Sequence, residues 1–138
     1  MSNRENVHPC GCEDIEKGLC LLCSAIRAME VGVRNIERRN LRGGHEHIMH
    51  GICKSEEGLM CVEVGLRQLV GHICPHLARA VRAHIAEARK CIAKVACGLE
   101  WVCHGQSEKG IECICRGIEA LEHCRKCICE CLKEVCRL

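Results

Sequence analysis

Aromatic residues are almost missing from this sequence, which has one tryptophan, Trp101, and neither tyrosine nor phenylalanine. Single-stranded nucleic acids are commonly bound by stacking their bases on aromatic side chains, and that platform is lacking. The 20 Lys and Arg residues are balanced by 18 Asp and Glu residues, with no block of one sign. We therefore predict no nucleic-acid partner, and a core built from aliphatic, methionine and cysteine side chains.

Long apolar runs are missing as well. No stretch approaches the roughly 18 apolar residues of a membrane-spanning helix. The first residues, MSNRENVHPCGC, lack the apolar segment of a secretory signal. We predict a protein without a membrane span that is synthesised in the cytoplasm without a signal peptide.

Cysteine, by contrast, is abundant, with 17 among 138 residues. That proportion is typical of disulfide scaffolds in short secreted chains, whereas cytoplasmic thiols normally stay reduced. The thiols therefore either bind metal in the cell or oxidise later, when the compartment is lost. Because 17 is an odd number, at least one cysteine stays free or bonds to another molecule.

Apolar residues recur every three or four positions in four segments, which is the a and d pattern of a helical bundle. The segments span residues 15–36, 59–73, 77–102 and 111–135. This pattern predicts an all-α fold: one domain, 1–138, forming an antiparallel four-helix bundle with an aliphatic heptad core and cysteines flanking it.

The polar and glycine-rich stretches between the periodic segments predict the connections. Residues 1–13 are expected to form an N-terminal arm, and residues 40–54 a His-rich loop between the first two helices. Asp14, Ser55 and Ser107 stand before or beside acidic residues, as at helix N-termini, and are predicted to mark helix starts.

A ten-residue pattern occurs once in each segment. Its copies are KGLCLLCSAI (17–26), EGLMCVEVGL (57–66), KCIAKVACGL (90–99) and KGIECICRGI (109–118). The ninth residue is always small: Ala25, Gly65, Gly98 and Gly117. Glycine within a helix costs about 1 kcal/mol relative to alanine, so this position predicts close helix approach; the alternative is chance recurrence.

At about 100° per residue, most cysteines flank the aliphatic stripe of their helix, and Cys91 is the main exception. A flanking thiol meets a neighbouring helix or another molecule, so we predict disulfides within and between chains. The predicted cross-linking cysteines are Cys10, Cys12, Cys20, Cys23, Cys61, Cys74, Cys113, Cys115, Cys124, Cys127, Cys129, Cys131 and Cys136. Intermolecular bonds are expected above all at Cys10, Cys12, Cys129, Cys131 and Cys136.

The same side chains allow metal binding as an alternative. The tetrad Cys10, Cys12, Cys20 and Cys23 has the spacing C-x-C-x7-C-x2-C, which suits a tetrahedral Zn site or an iron–sulfur cluster, or else disulfide hooks and free thiols. The group His45, His47, His50 and Cys53 suits Zn or Cu, or is a solvated loop. The C-terminal thiols could likewise take Cu(I) or Zn.

Motifs of enzymes are missing: there is no phosphate-binding glycine loop, no G-x-S-x-G and no haem C-x-x-C-H. We predict a protein that is not an enzyme and requires no cofactor. Trp101 lies off the apolar face of the third helix and is predicted to anchor an interface, or to be a partly buried rim residue.

In cysteine content and helix number the sequence resembles the bacterial copper storage proteins. That resemblance implies a four-helix bundle whose interior thiolates bind many Cu(I) ions. The a and d positions here are mostly Ile, Leu and Val, which differs from such an interior.

In character the sequence also resembles cysteine-rich spore coat and exosporium proteins. That resemblance implies synthesis without a signal, self-assembly into sheets or shells, disulfide cross-linking after lysis and a final location in a spore outer layer. We therefore predict a structural protein whose partner is itself, assembled into a disulfide-cross-linked array or shell. The alternatives are storage of Cu(I) or another soft metal, and a single Zn or iron–sulfur site.

Overall fold

The computed structural model describes residues 9–138, which form four α-helices and, within that range, no strand. The helices are α1 (Cys12–Glu37), α2 (Leu41–Leu69), α3 (Pro75–Cys103) and α4 (Ser107–Cys136), with a short 3₁₀ helix, Val70–His72, after α2. The predicted all-α fold is confirmed. Among the described residues, no helix combines the length and the apolarity that crossing a bilayer requires.

The helices pair as two antiparallel hairpins. Helix α1 packs along α2, and α3 packs along α4, while lighter α1–α4 and α2–α3 contacts join the hairpins into a bundle. The connections 38–40 and 104–106 are three residues long, so consecutive helices must turn back on each other.

The core is mainly aliphatic, as predicted. Its largest fully buried side chains are Ile15, Leu22, Met29, Ile48, Leu59, Leu69, Ile114, Leu121, Ile128, Leu132, Val62 and Val81. Four cysteines are also buried in it: Cys12, Cys91, Cys124 and Cys136. Burial of Cys91 was expected, but the prediction that Cys124 and Cys136 flank the core is wrong, and Cys12, predicted to lie in the N-terminal arm, is buried as well.

Heptad-spaced glycines line the contact between α1 and α2, and we call this line the glycine seam. It comprises Gly11, Gly18 and Gly32 facing Gly44, Gly51, Gly58 and Gly65. A Cβ atom added to Gly18 would lie 2.5 Å from the carbonyl oxygen of Gly58, and one added to Gly58 would lie 2.8 Å from that of Gly18. The backbones therefore touch, which confirms the predicted close approach.

Gly98 and Gly110 make the equivalent contact between α3 and α4. A Cβ atom on Gly98 would lie 2.7 Å from the carbonyl oxygen of Gly110, and one on Gly110 would lie 2.6 Å from that of Gly98. Both hairpins are thus built on the same small-residue packing.

The predicted loop 40–54 is wrong, because α2 begins at Leu41. The Asn40 side chain caps this helix by accepting a hydrogen bond of 3.1 Å from the backbone N–H of Gly43. Gly44 and Gly51, which resemble helix breakers in the sequence, pack against α1. That packing compensates for their low helix propensity.

Two predicted helix starts also differ from the structure. Ser55 lies in the middle of α2, fully buried, and α1 begins at Cys12 rather than after Asp14. Of the predicted arm 1–13, residues 1–8 lie outside the described residues, and the last two belong to α1. Ser107 is the first residue of α4.

Candidate functional site

One disulfide joins the first helix of the bundle to the last, and we call it the terminal disulfide. It joins Cys12, the first residue of α1, to Cys136, the last residue of α4, with 5.2 Å between their Cα atoms. The two cysteines are 1% and 0% exposed. The prediction that these two thiols form intermolecular bonds is therefore wrong, because each is bonded within its own chain and shielded from other molecules.

The sequence contains a signal for this burial. Cys12 lies three positions before Ile15, and Cys136 four positions after Leu132. Both cysteines therefore continue the spacing of three and four that marks the core.

The other fifteen cysteines are free, and thirteen of them are exposed or half-buried. We call these thirteen the outward thiols. The exposed ones are Cys10, Cys20, Cys53, Cys74, Cys97, Cys103 and Cys115, and the half-buried ones are Cys23, Cys61, Cys113, Cys127, Cys129 and Cys131. Eleven of them lie on the four helices, and Cys10 and Cys74 lie just before α1 and α3, so no single face of the bundle holds them.

Ten of the thirteen predicted cross-linking cysteines are thus outward thiols, and Cys12, Cys124 and Cys136 are not. Two exposed thiols, Cys97 and Cys103, are missing from that prediction. Their signal is that Cys97 falls between the core positions Val95 and Leu99, and that Cys103 comes directly after the core position Val102. Cys53, predicted as a metal ligand, is an outward thiol as well.

Three outward thiols line one groove between α1 and α4: Cys20, Cys23 and Cys129. The groove has a volume of about 880 Å³. Arg125 lies in it, near Cys23 and Cys129, and forms two hydrogen bonds of 2.9 and 2.7 Å to the Glu122 carboxylate. These bonds hold the pKa of Glu122 below its ordinary value and raise that of Arg125. The groove therefore combines three accessible thiols with an ion pair that holds Arg125 in place.

Two thiols of α4, those of Cys115 and Cys131, have pKa values above the ordinary value. Burial, and then the carboxylates of Glu37, Glu119 and Glu30, raise the pKa of Cys115. Burial, followed by neighbouring Cys127 and Glu130, raises the pKa of Cys131. A raised pKa leaves less thiolate at neutral pH, so these two thiols should react more slowly than their exposure suggests.

The structure does not bring together the predicted tetrad of Cys10, Cys12, Cys20 and Cys23. Cys12 is bonded to Cys136, and the Cys10 thiol donates a hydrogen bond of 3.2 Å to the Gln68 side chain of α2. Cys20 and Cys23 line the α1–α4 groove instead.

The His-rich group is spread along α2 rather than gathered in a loop. His45, His47, His50 and Cys53 are all exposed, and Nδ1 of His47 lies 2.8 Å from the carbonyl oxygen of Gly43. Across residues 9–138, no three or more His, Cys, Asp or Glu side chains are arranged to hold a metal ion.

Trp101 is 38% exposed on α3, with the ammonium nitrogen of Lys109 4.0 Å from the centre of its ring. Cys97, Glu100 and His104 surround it in a shallow surface depression. Its role as an interface anchor stays a prediction.

Comparison of the chain with family models, curated proteins and solved structures gave no match.

Proposed function

We propose that this protein is a structural, self-assembling subunit whose outward thiols form disulfides with other copies of the same chain. The observation that carries this proposal is the distribution of the outward thiols. Exposed free cysteines stand on α1, α2, α3 and α4, around a core already filled by aliphatic side chains. A subunit with thiols on several faces can bond to several neighbours, which is what an extended array or shell requires.

The chemistry of each cross-link needs an oxidant. Two thiols, one on each chain, lose two protons and two electrons as the S–S bond forms. Molecular oxygen or a small disulfide such as oxidised glutathione accepts them. The role we propose is structural rather than enzymatic, and its cross-links need no cofactor.

The terminal disulfide supports this proposal because it joins the start of α1 to the end of α4 within one chain. A bundle closed in this way presents a defined surface to its neighbours. A spore outer layer stays our prediction for the final location of such an assembly.

Storage of a soft metal is the second candidate, and one observation favours it. The sulfur of Cys127 lies 3.5 Å from Nε2 of His123 on α4, and the half-buried thiol of Cys131 is one turn further along the same helix. Thiolates and imidazole are ligands for Cu(I). Titration of the reduced protein should then give several Cu(I) bound per chain, whereas saturation at zero or one ion would exclude storage.

The test of cross-linking compares oxidised and reduced protein by size. After air oxidation and blocking of free thiols, we expect disulfide-linked oligomers that return to one 15.4 kDa chain in reductant. Replacing all thirteen outward thiols by serine should abolish the cross-linked fraction. Cys91→Ala, which removes a buried thiol, is the matched control and should cross-link like the wild type. An oxidised protein that stays monomeric, or oligomers that reductant leaves unchanged, would refute the proposal.

A further inference from the structure

Two free cysteines are not outward thiols, and they lie close to each other inside the bundle. Cys91 on α3 is 4% exposed and Cys124 on α4 is 3% exposed. They lie near enough across the interface between the two helices for each thiol to affect the pKa of the other. The cross-linking proposed above makes no use of this pair, since no other molecule can reach it in the folded bundle.

Their position in the sequence explains why they meet. Cys124 follows Gly110 and Gly117 at intervals of seven residues, and Cys91 precedes Gly98 by seven. Residues seven apart lie on the same face of a bundle helix, so both thiols continue the line of small residues along which α3 and α4 touch. A Cβ atom added to Gly117 would lie 3.1 Å from the carbonyl oxygen of Cys91.

Close backbone approach is also the geometric requirement of a disulfide. The two Cα atoms must come within about 7 Å, with their side chains directed at each other. The small residues on this line bring the backbones of α3 and α4 together, and Cys91 and Cys124 are buried in the same core cluster beside it.

We propose that Cys91 and Cys124 are an oxidation site at which a buried disulfide forms within one chain, joining α3 to α4. A thiolate of the pair attacks a small disulfide such as oxidised glutathione, which releases one glutathione thiolate and leaves a mixed disulfide. The second cysteine then displaces the other glutathione. The pair loses two protons and two electrons in total, and the oxidant is reduced to two thiols. This inference does not rest on the proposed function, because the bond forms inside one subunit.

The surroundings of the pair also determine when it oxidises relative to the exposed thiols. Burial raises the pKa of both thiols, that of Cys124 to about 12, and Glu87 raises both further. Each thiol is therefore protonated at neutral pH and becomes accessible only when α3 and α4 separate locally. The pair should oxidise after the exposed thiols.

Peptide mapping tests this pairing directly, because trypsin isolates each cysteine of the pair. Cleavage after Lys and Arg leaves Cys91 as the only cysteine of peptide 91–94, and Cys124 as the only cysteine of peptide 117–125. The reduced, native protein is incubated with oxidised glutathione, blocked with N-ethylmaleimide in denaturant and digested. We expect these two peptides to be joined by a disulfide that reductant cleaves. The joined form should accumulate later than the oxidised form of Cys97.

Variants and a second measurement complete the test. Cys91→Ala should abolish the joined peptide, whereas Cys97→Ala, which removes an exposed thiol of the same helix, should leave its yield unchanged. Oxidation should also shift the urea midpoint of the wild type upwards by more than that of Cys91→Ala. The proposal is overturned if both cysteines remain blocked by N-ethylmaleimide after the exposed thiols are oxidised. Attachment of Cys124 mainly to another cysteine or to glutathione would overturn it equally.

Discussion

Ser55 is the one buried polar side chain among the described residues, and its hydroxyl oxygen has no hydrogen-bond partner there. It occupies a core position of α2, between Ile52 and Leu59. A buried hydroxyl without a partner costs about 1–3 kcal/mol. At the scale of a single residue, Ser55 is therefore a weak point of an otherwise apolar core.

We expect Ser55→Ala to raise the free energy of unfolding by about 1 kcal/mol, because it removes the unpaired hydroxyl and improves helix propensity. Urea unfolding followed by circular dichroism measures the change. Ser24→Ala, at an exposed position of α1, should alter stability by less than about 0.5 kcal/mol. A lower stability of Ser55→Ala would mean that the hydroxyl makes a stabilising bond.

The buried thiol of Cys124 should make the reduced protein less stable as the pH rises above 9. Burial raises its pKa from an ordinary 9.0 to about 12, with Cys91 as the next cause. Below pH 9 the thiol is protonated in both states, so its contribution to stability is fully present. Between about pH 9 and pH 12 only the unfolded thiol ionises, and the free energy of unfolding should fall by up to about 1.4 kcal/mol per pH unit.

Urea unfolding of the reduced protein at about pH 8, 9 and 10 measures this loss. Cys124→Ala should make the dependence on pH shallower, whereas Cys97→Ala should leave it as in the wild type. An equal slope in Cys124→Ala and the wild type would show that the buried thiol is not the cause.

At the scale of the helices, the glycine seam holds α1 against α2. Gly58→Ala would place a Cβ atom 2.8 Å from the carbonyl oxygen of Gly18 and 3.2 Å from Leu22. The backbone of α1 cannot move away without disturbing the packing of the two helices, so we expect the free energy of unfolding to fall by about 1–3 kcal/mol. This loss should appear even though alanine is the better helix former by about 1 kcal/mol.

Thermal unfolding compares this variant with Gly71→Ala, where the added Cβ atom would meet nothing within 4 Å. The control should keep the wild-type midpoint to within a few degrees. Stabilisation by Gly58→Ala would contradict backbone contact along the seam.

The helices themselves could be predicted from the sequence, because the apolar spacing of three and four residues persists through all of them. The recurrence of Gly65, Gly98 and Gly117 likewise predicted close packing, and the structure confirms it. The start of α2 could not be predicted, since Gly44 and Gly51 resemble breakers until their contacts with α1 are known.

The placement of Cys124 and Cys136 failed for a geometric reason. Cys124 lies seven residues after Gly117, on the line of small residues where α4 touches α3. Cys136 is covered by Cys12 at the start of α1. A helical wheel shows only the apolar stripe of the helix itself, so it does not reveal burial by a neighbouring helix. The partner of Cys12 could not be predicted either, because spacing alone does not determine disulfide connectivity.

At the scale of the whole molecule, the terminal disulfide closes a sequence separation of 124 residues. Removing it with Cys12→Ala and Cys136→Ala should lower the free energy of unfolding by about 2–4 kcal/mol, mainly because the unfolded chain gains freedom. Urea unfolding without reductant measures the loss, and reductant should abolish the difference from the wild type. Cys97→Ala with Cys103→Ala is the control pair. Equal stability of the variant and the oxidised wild type would show that the bond contributes nothing.

The terminal disulfide also makes residues 12–136 a covalent ring, since the backbone supplies the rest of the circuit. A ring that is cut once stays in one piece, so cleavage in the connection 38–40 or 104–106 would release no fragment until a second cut or a reductant followed. In an assembly of such rings, a single backbone break would leave every subunit attached. Damage would accumulate locally before any material was lost.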